Sequence, residues 1–556
     1  MTLRTLFALV VASAAMFVFA PSALAVDYCV GSAPGCSTLP YSNDATGFQG
    51  ALDASNSSVS DDRIFLPPNA IYLGAGKNFT IAGSQKLEII GAGSALTTFD
   101  CSLATFGGCL TITAPNTDSK ISGFTIHANA GGGGPTNTAG LTSFRAAVSD
   151  VAIADYGGLS AFHALSLYYG AVADGFTIQL SSANSVGAYT NNSDLTARNC
   201  AISGGSGNHS TAISASGNGS TFVVDHCKLS DVETGVYTQV GAMSISDTLI
   251  DLGTHTYGLG LNAYNGSSPG SPTTTSLQAA RLTIVGNGPS QRGLWLGAVN
   301  TNTTINATVA DSVVYGAGAS FTSLQTLHAN PAGSTSMTLA RSALNLSQVN
   351  NGGANPLAAT FTDPIDLASV APGFVNFAGG DYRPAAGSAL IDRGSNTSVP
   401  LPGASDVAGA TRIVDGNGDG VPQVDVGAYE SATTTAPGGG ATVVPSAKLI
   451  SKPKKSFKVA KKGGFGTAKK GAASFSVQFT NSAKAKFTLK SIGKKKKLKT
   501  LKGSQTLTVK NSTVKFGFRG KWNKKQLKAG KYRVSITPLS STGVAGAPVT
   551  VDIKLK

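Results

Sequence analysis

The sequence predicts an all-β chain, a repeat-built β-solenoid followed by a small antiparallel β-sandwich, and three observations carry that prediction. A short alternating segment recurs nine times between residues 123 and 344. These segments lack the apolar spacing of three and four that an amphipathic helix requires. After residue 446 the composition turns abruptly to lysine-rich segments in which apolar and polar residues alternate.

Composition limits the function classes. Only 13% of the 556 residues are charged, about half the usual ~25% share, so the surface is dominated by small uncharged residues. The net charge of +15 is divided unequally: residues 446–556 hold 29 Lys and Arg against Asp552 alone, whereas 1–445 hold 14 against 27 acids. A chain that binds nucleic acid along its whole length is excluded. The basicity belongs to one C-terminal module.

Residues 1–25 read as an export signal, with Arg4 before the apolar run Leu6–Ala20 and Ala23-Leu24-Ala25 as a small-x-small cleavage site. The mature chain is expected to begin near Val26. An uncleaved anchor is the rival reading, but the run is short for a membrane span, and no transmembrane segment is expected after removal. Six cysteines, an even number, suit an oxidising compartment and a secreted or cell-surface location. Cys29 with Cys36, and Cys101 with Cys109, flank short loops and are expected to pair. Cys200 and Cys227 occupy equivalent places in the repeat, as a disulfide or as two stacked thiols.

The repeat unit is visible in Gly123-Phe124-Thr125-Ile126, Gly175-Phe176-Thr177-Ile178 and Asp247-Thr248-Leu249-Ile250. Its last apolar residue is Ile126, Ile153, Ile178, Ile202, Leu229, Ile250, Ile284, Val314 and Leu344, at steps of 21 to 34 residues. Strands of one register separated by loops of unequal length argue for a solenoid. Period-two alternation turns these anchors inward, with the residue two before each.

Ile64-Phe65-Leu66-Pro67-Pro68 and Leu87-Glu88-Ile89-Ile90-Gly91-Ala92-Gly93 look like the first coils of a known family. Over residues 40–430 the chain resembles the right-handed parallel β-helix proteins of the pectin-lyase-like superfamily. The resemblance implies a β-helix over 26–350, with an amphipathic cap at Ala45–Ala54 burying Phe48, Ala51 and Leu52. Asp381-Tyr382-Arg383-Pro384, Gly387–Gly394 and Asp425–Glu430 are similar to the choice-of-anchor Q domain of secreted bacterial surface proteins. That places final coils and this module at 351–430. Residues 431–446, rich in Thr, Pro, Gly and Ala, read as a flexible linker. In 447–556 the alternations around Phe475, Phe487, Leu507, Phe516, Tyr532 and Val551 give six or seven strands of an antiparallel sandwich. Leu527–Arg533 resembles bacterial immunoglobulin- or fibronectin-III-like modules.

Many pectin-lyase-like proteins are polysaccharide lyases or glycosidases. Hydrolysis needs two carboxylates, and elimination needs a base beside a cation. The polygalacturonase-like motifs (Asn-Thr-Asp, Gly-Asp-Asp, Gly-His-Gly, Arg-Ile-Lys) do not occur as a set, and no Asp-Pro-His of the epimerase type is present. The expected function is therefore a secreted, non-catalytic surface protein that binds polysaccharide or acts as a rigid spacer. The alternative is a lyase or glycoside hydrolase acting on an acidic polysaccharide.

The column three residues before the anchors reads Asn199, His226, Asp247, Arg281, Asp311 and Arg341, at a rung spacing of about 4.8 Å. One reading is an acid/base group of His226 and Asp247 with Asp225 and Asp251 nearby. The other is an inter-coil ladder of opposite charges on solvent-facing strands, with His226 hydrogen-bonded at the surface. The remaining histidines, His127, His163, His209, His255 and His328, show no metal spacing.

Asp415-Gly416-Asn417-Gly418-Asp419-Gly420 matches a Ca²⁺ loop, with Asp415, Asn417 and Asp419 as oxygen donors. The twelfth place holds Val426, so Asp425 or Glu430 would have to supply the missing carboxylate; the other reading is a plain turn. In the basic module, Lys486–Lys490, Lys494–Lys497 and Val549–Lys556 set lysines opposite the apolar face. The expected partners are polysaccharide or anionic cell-envelope polymers. Specific nucleic-acid recognition is not expected, because aromatic residues are not interleaved with the basic ones.

Overall fold

The computed structural model describes residues 26–431 and 446–556, with interruptions. Exceptions in the first span are 37–40, 59, 73–76, 81–85, 102–108, 114–117, 129–138, 156–161, 182–183, 205–209, 267–271, 301, 319, 329–333 and 354–357. In the second they are 454–464, 468–472, 481–483, 494–496, 510–512, 519, 524 and 540–547. The export signal, His209, Lys494–Lys496 and all but the ends of the expected linker thus lie outside the described residues.

Ala45–Asn56 forms a 12-residue helix. The Asp44 side chain caps it by accepting the Gly47 amide at 2.8 Å, satisfying one of the amides a helix start leaves unpaired. Phe48, Ala51 and Leu52 are buried, and Phe48 packs on Phe99 of an early coil at 5.2 Å. The helix closes an end whose apolar interior would otherwise meet water.

Behind the helix the chain winds as a parallel β-helix with three faces. The first and second merge into one 20-stranded sheet, because strands such as Lys120–Ala128 and Gly241–Asp251 continue round the corner between them. The third face is an 11-stranded sheet from Lys77–Thr80 to Val349–Gly353. Pairing between coils is parallel, with Ile64 opposite Ile89 and Leu141 opposite Leu165.

All nine anchors form one column of the second face, each in register with the next. Each is at most 2% exposed. The column extends beyond the nine repeats: Ile71 and Phe99 precede Ile126, and Asp366 follows Leu344. Phe124, Val151, Phe176, Cys200 and Cys227 point inward two residues earlier in their coils. Cys200 and Cys227 are a disulfide joining adjacent coils, Cα atoms 4.4 Å apart, and Cys29–Cys36 and Cys101–Cys109 are the two local bridges.

Between the first and second faces each of the nine repeat coils turns through one residue of positive φ. Gly123 and Gly175 lie at 79° and 71°, and Asp150, Asn199, His226, Asp247, Arg281, Asp311 and Arg341 at 46–55°. This is the column three before the anchors. Glycine takes the left-handed region freely and Asn, Asp and His visit it; Arg does so under strain.

From residue 372 the chain leaves the coils and lies over the outside of the second face. Leu249 and Val285 of the coils pack there with Tyr382, Val407, Ala428 and Tyr429. Val313, Ala343 and Ile365 pack with Leu390 and Val426. Backbone bonds add to this, Gly427 N–H donating to Asp311 O at 2.8 Å.

Thr434–Lys556 is a separate compact unit, a sandwich of two antiparallel sheets. Phe475, Val477, Phe479 and Phe516 of one sheet share a core with Phe487, Val534, Ile536 and Ile553 of the other. It has more strands than the six or seven expected, because short edge strands such as Phe465–Thr467 and Leu498–Thr500 hold too few residues to show alternation. No helix among the described residues is long and apolar enough to cross a membrane.

Candidate functional site

Asp225, His226 and Asp247 lie together, their ligand-type atoms within 4.8 Å of one another, and each of the three already holds hydrogen-bond partners. His226 Nδ1 lies 2.9 Å from Asp225 Oδ1, and Nε2 lies 2.8 Å from the Ser405 carbonyl. Both ring nitrogens therefore face acceptors, as in an imidazolium. The Asp225 bond raises the His226 pKa to about 9, against the opposing effect of burial. Burial pushes the Asp225 carboxyl up, and the bonds from His226 and Ser246 outweigh it, holding the group below its ordinary value. A histidine charged at neutral pH with both nitrogens engaged is not a general base.

Asp247 is buried between two buried arginines. Arg281 donates to both of its oxygens at 2.9 and 3.0 Å, and Arg412 donates Nε to Oδ1 at 2.9 Å with a second, short bond from Nη2. Arg281 also reaches the Pro400 and Leu401 carbonyls, and Arg412 the Gly427 carbonyl. One coil pair further on, Arg341 bonds Asp311 at 2.8 Å and Ser398 Oγ at 2.8 Å. Asp251 accepts the Tyr382 hydroxyl at 2.6 Å. The charge ladder therefore exists as the pairs Asp247–Arg281 and Asp311–Arg341. It departs from the expected solvent-facing ladder in one respect: residues 372–431 cover it, and its side chains clamp that segment down. Of the four acid/base candidates, Asp225, His226 and Asp247 are brought together, and Asp251 is engaged separately by Tyr382; His226, Asp247 and Asp251 each bond residues of the 372–431 segment.

The 415–420 loop is bonded to itself. Asp415 accepts the amides of Gly418, Asp419 and Gly420, Asn417 Oδ1 that of Asp419, and Asp419 Oδ1 that of Val421. Asp425 accepts the Asp392 and Ser431 amides, and Glu430 the Arg412 guanidinium and the Asp425 amide. Burial and the Asp425 charge push Glu430 up to about 9 despite Arg412. Neither Asp425 nor Glu430 completes the loop, and Val426 is a core residue. The carboxylate that does stand beside the loop is Asp392, and its two oxygens accept the Gly416 and Asn417 amides, so the side-chain oxygens gathered here are held by backbone amides.

A cleft of about 380 Å³ opens beside His226, between Thr177, Asn199, Lys228 and the 405–409 loop. Its carboxylate, Asp406, is consumed by the amides of Ala408, Ala410 and Glu430. Of the hydrolase-type motifs, Asn-Thr-Asp does occur, at 116–118, without the others beside it; residues 116 and 117 lie outside the described residues.

The third face presents a different surface. One outward row reads Thr142, Ser166, Tyr189, Ser214, Tyr237, Asn262, Trp295 and Gln325 in consecutive coils, with Ser166 and Asn262 covered by their larger neighbours. Tyr189, Tyr237 and Trp295 thus recur on alternate rungs, about 10 Å apart. The neighbouring row adds Phe144 stacked on Tyr168 at 5.0 Å, and Tyr264 stacked beside Trp295 at 5.9 Å. His163 stacks on Tyr189 at 4.0 Å, and burial lowers its pKa, so the ring is neutral. Burial raises Tyr168, Tyr189 and Tyr237, the last to about 12. Among the described residues these outward rows contain no Asp or Glu; Arg292 is their fixed charge. The strip escaped the sequence reading because attention went to charged columns; its signal was an aromatic residue three after each of Val186, Thr234 and Arg292.

No family model matches the chain, and no curated protein does. Among solved structures it is similar to the A-module of the mannuronan C-5 epimerase AlgE6 of Azotobacter vinelandii (13% identity, 58% of this chain and 94% of that one, TM-score 0.30). It is also similar to the Agl-KA catalytic domain (15% identity, 62% and 68%, TM-score 0.30). A third is the enzymatically active domain of tailspike protein 4 of bacteriophage CBA120 (13% identity, 91% and 63%, TM-score 0.31). Likeness this remote does not bear on activity.

Proposed function

We propose that the chain is an exported, non-catalytic β-helix protein that binds an extended polysaccharide along the third face, while its basic C-terminal module tethers it to anionic envelope polymers. The observation that carries the first part is the alternate-rung row Tyr189, Tyr237 and Trp295. A pyranose ring offers a C–H face that packs on an aromatic ring. Repetition at about 10 Å suits every second sugar of an extended chain, and Ser214 lies between Tyr189 and Tyr237 to bond hydroxyls. The absence of a carboxylate from these described rows speaks against hydrolysis there, which needs two. Three disulfides fit an oxidising compartment. In the choice-of-anchor Q-like reading, residues 372–431 close the flank of the solenoid before the linker.

The test is a glycan array with the full chain, followed by reducing-end and unsaturated-product assays on every sugar bound. Tyr237→Ala and Trp295→Ala are each expected to weaken binding by about tenfold, the worth of one well-stacked ring. Product formation would refute the non-catalytic reading. Binding indifferent to both substitutions would place the ligand elsewhere.

A further inference from the structure

The C-terminal sandwich is not uniformly basic. Along the strand Lys484–Ile492, Ala485, Phe487 and Leu489 are buried, so Lys484, Lys486 and Lys490 stand on the outer side. The neighbouring strand Gly530–Leu539 adds Lys531 and Arg533, and Val549–Leu555 adds Asp552 and Lys554. Arg533 and Asp552 neutralise each other through bonds of 2.7 and 2.9 Å. Lys484, Lys486, Lys490, Lys531 and Lys554 make no ion pair among the described residues. On the opposite sheet the outward positions are Ser474, Ser476, Gln478 and Thr513, with Lys448 and Lys515.

Register makes the arrangement costly. Lys531 lies directly across from Lys554, and Lys490 directly across from Arg533. Like charges in directly opposed positions destabilise a sheet. Along a strand, alternate lysines repeat at about 6.7 Å, well inside a Debye length at physiological salt. Thr488, Ser535, Thr537 and Thr550 fill the positions between, and no outward aromatic ring accompanies them on these strands.

We infer that the outer face of this second sheet is a docking surface for a linear acidic polysaccharide. The inference rests on the tether reading above and deepens it by naming the surface and the ligand class. Lysine ammonium groups are point charges without the planar fork that fixes the geometry of one anion, and their repeat along the strands, with hydroxyls between, suits a sugar polymer carrying one carboxylate per residue. The interleaved hydroxyls bond the sugar hydroxyls. Single-stranded nucleic acid would call for aromatic stacking platforms, which this face lacks. A bound polyanion neutralises the opposed lysines, so binding and stability are linked.

The test uses the full chain and sodium polygalacturonate across a salt series. The variant K484Q/K486Q/K490Q/K531Q/K554Q is compared with K448Q/K515Q/K521Q/K525Q/K528Q, which removes the same charge elsewhere on the module. At low salt the first variant is expected to bind at least about tenfold more weakly, with a shallower salt dependence, and the second to lose less than about threefold. The first should also melt higher than wild type at low salt without polymer, which separates loss of binding from loss of fold. Equal losses in both variants would overturn the surface assignment, leaving an unlocalised charge effect. Tighter binding to duplex DNA, a glycerol phosphate polymer or anionic vesicles than to polygalacturonate at the same salt would overturn the ligand class. Both results leave the tether itself standing. No binding to any polyanion at low salt would remove the tether reading along with this one.

Discussion

Replacing Asp247 by Asn tests the idea that the charged column serves attachment. The side chain is buried, and it alone faces both Arg281 and Arg412; the next acid, Glu430, is held largely protonated at neutral pH. Asn keeps the shape and removes the charge, leaving two buried guanidinium groups without their shared counterion. Breaking a buried ion pair from one side costs about 3–5 kcal/mol. Asp247 sits outside the apolar interior, so the loss should fall on residues 372–431 and spare the coils. At about 1.4 kcal/mol per tenfold, their local opening becomes roughly 100- to 4,000-fold more frequent. Hydrogen exchange read by mass spectrometry should show this at the Val426 and Gly427 amides, which bond Leu390 O and Asp311 O, while peptides around Ile202 and Leu229 keep wild-type protection. Arg412→Met should do less, since Asp247 keeps its two-pronged bond from Arg281 and loses only the second cation. Unchanged exchange across 372–431, simultaneous opening of the coils, or a larger effect from Arg412→Met would each refute the reasoning.

Three further outcomes are expected. The folded pKa values of His226 and Glu430 both lie near 9, above their ordinary values of 6.5 and 4.5, so each group's stabilising contribution is complete below its ordinary value and fades as pH approaches 9. Proteolytic nicking within 372–431 should therefore rise from about pH 4.5 and more steeply between about 6.5 and 9, and His226→Gln should remove the steeper part; a flat wild-type profile would contradict the clamp. Ile250→Asp puts a charge into a column that is 0% exposed at that point and should abolish soluble folded protein, a loss beyond about 4 kcal/mol; a cooperative melt near the wild-type Tm would deny the register. Millimolar calcium should leave the melting temperature unchanged, and a rise of several degrees would show that the 415–420 loop recruits further oxygens.

The solenoid was legible because its interior repeats. Nine anchors at unequal steps specify a register regardless of loop length, and every one of them pairs with its neighbour. The helical cap was legible for a related reason, one apolar stripe over a single short segment. The corner column was visible and misjudged in emphasis. Gly123, Asp150, Gly175 and Asn199 together signal a left-handed residue at that position in the repeat coils, a backbone requirement that precedes any question of charge. Arg281 and Arg341 accept the same strained conformation, and their bonds to Asp247 and Asp311 hold them there. The extent of the sandwich was less legible, because two- and three-residue edge strands carry no period.

What covers the second face could still have been read, from where alternation fails. In early coils the residue before the anchor is Thr125, Ala152, Thr177, Ala201 or the exposed Lys228; later it is Leu249, Thr283, Val313 and Ala343, all buried. A strand apolar on both sides is a strand covered on both sides. That change starts at the coil of Asp247, where the charged column also becomes buried, so the two features report one event: residues 372–431 settling onto the coils. An acid beneath a docked segment, bonded to arginines, is a fastening; the same acid on an open face would have been a candidate base. The third face keeps its aromatic row outward through these same coils, with Trp295 and Tyr264 half-buried and no segment packed over them among the described residues. Function is therefore to be sought on the face that the chain leaves open, and the charges gathered on the face it covers belong to the account of stability.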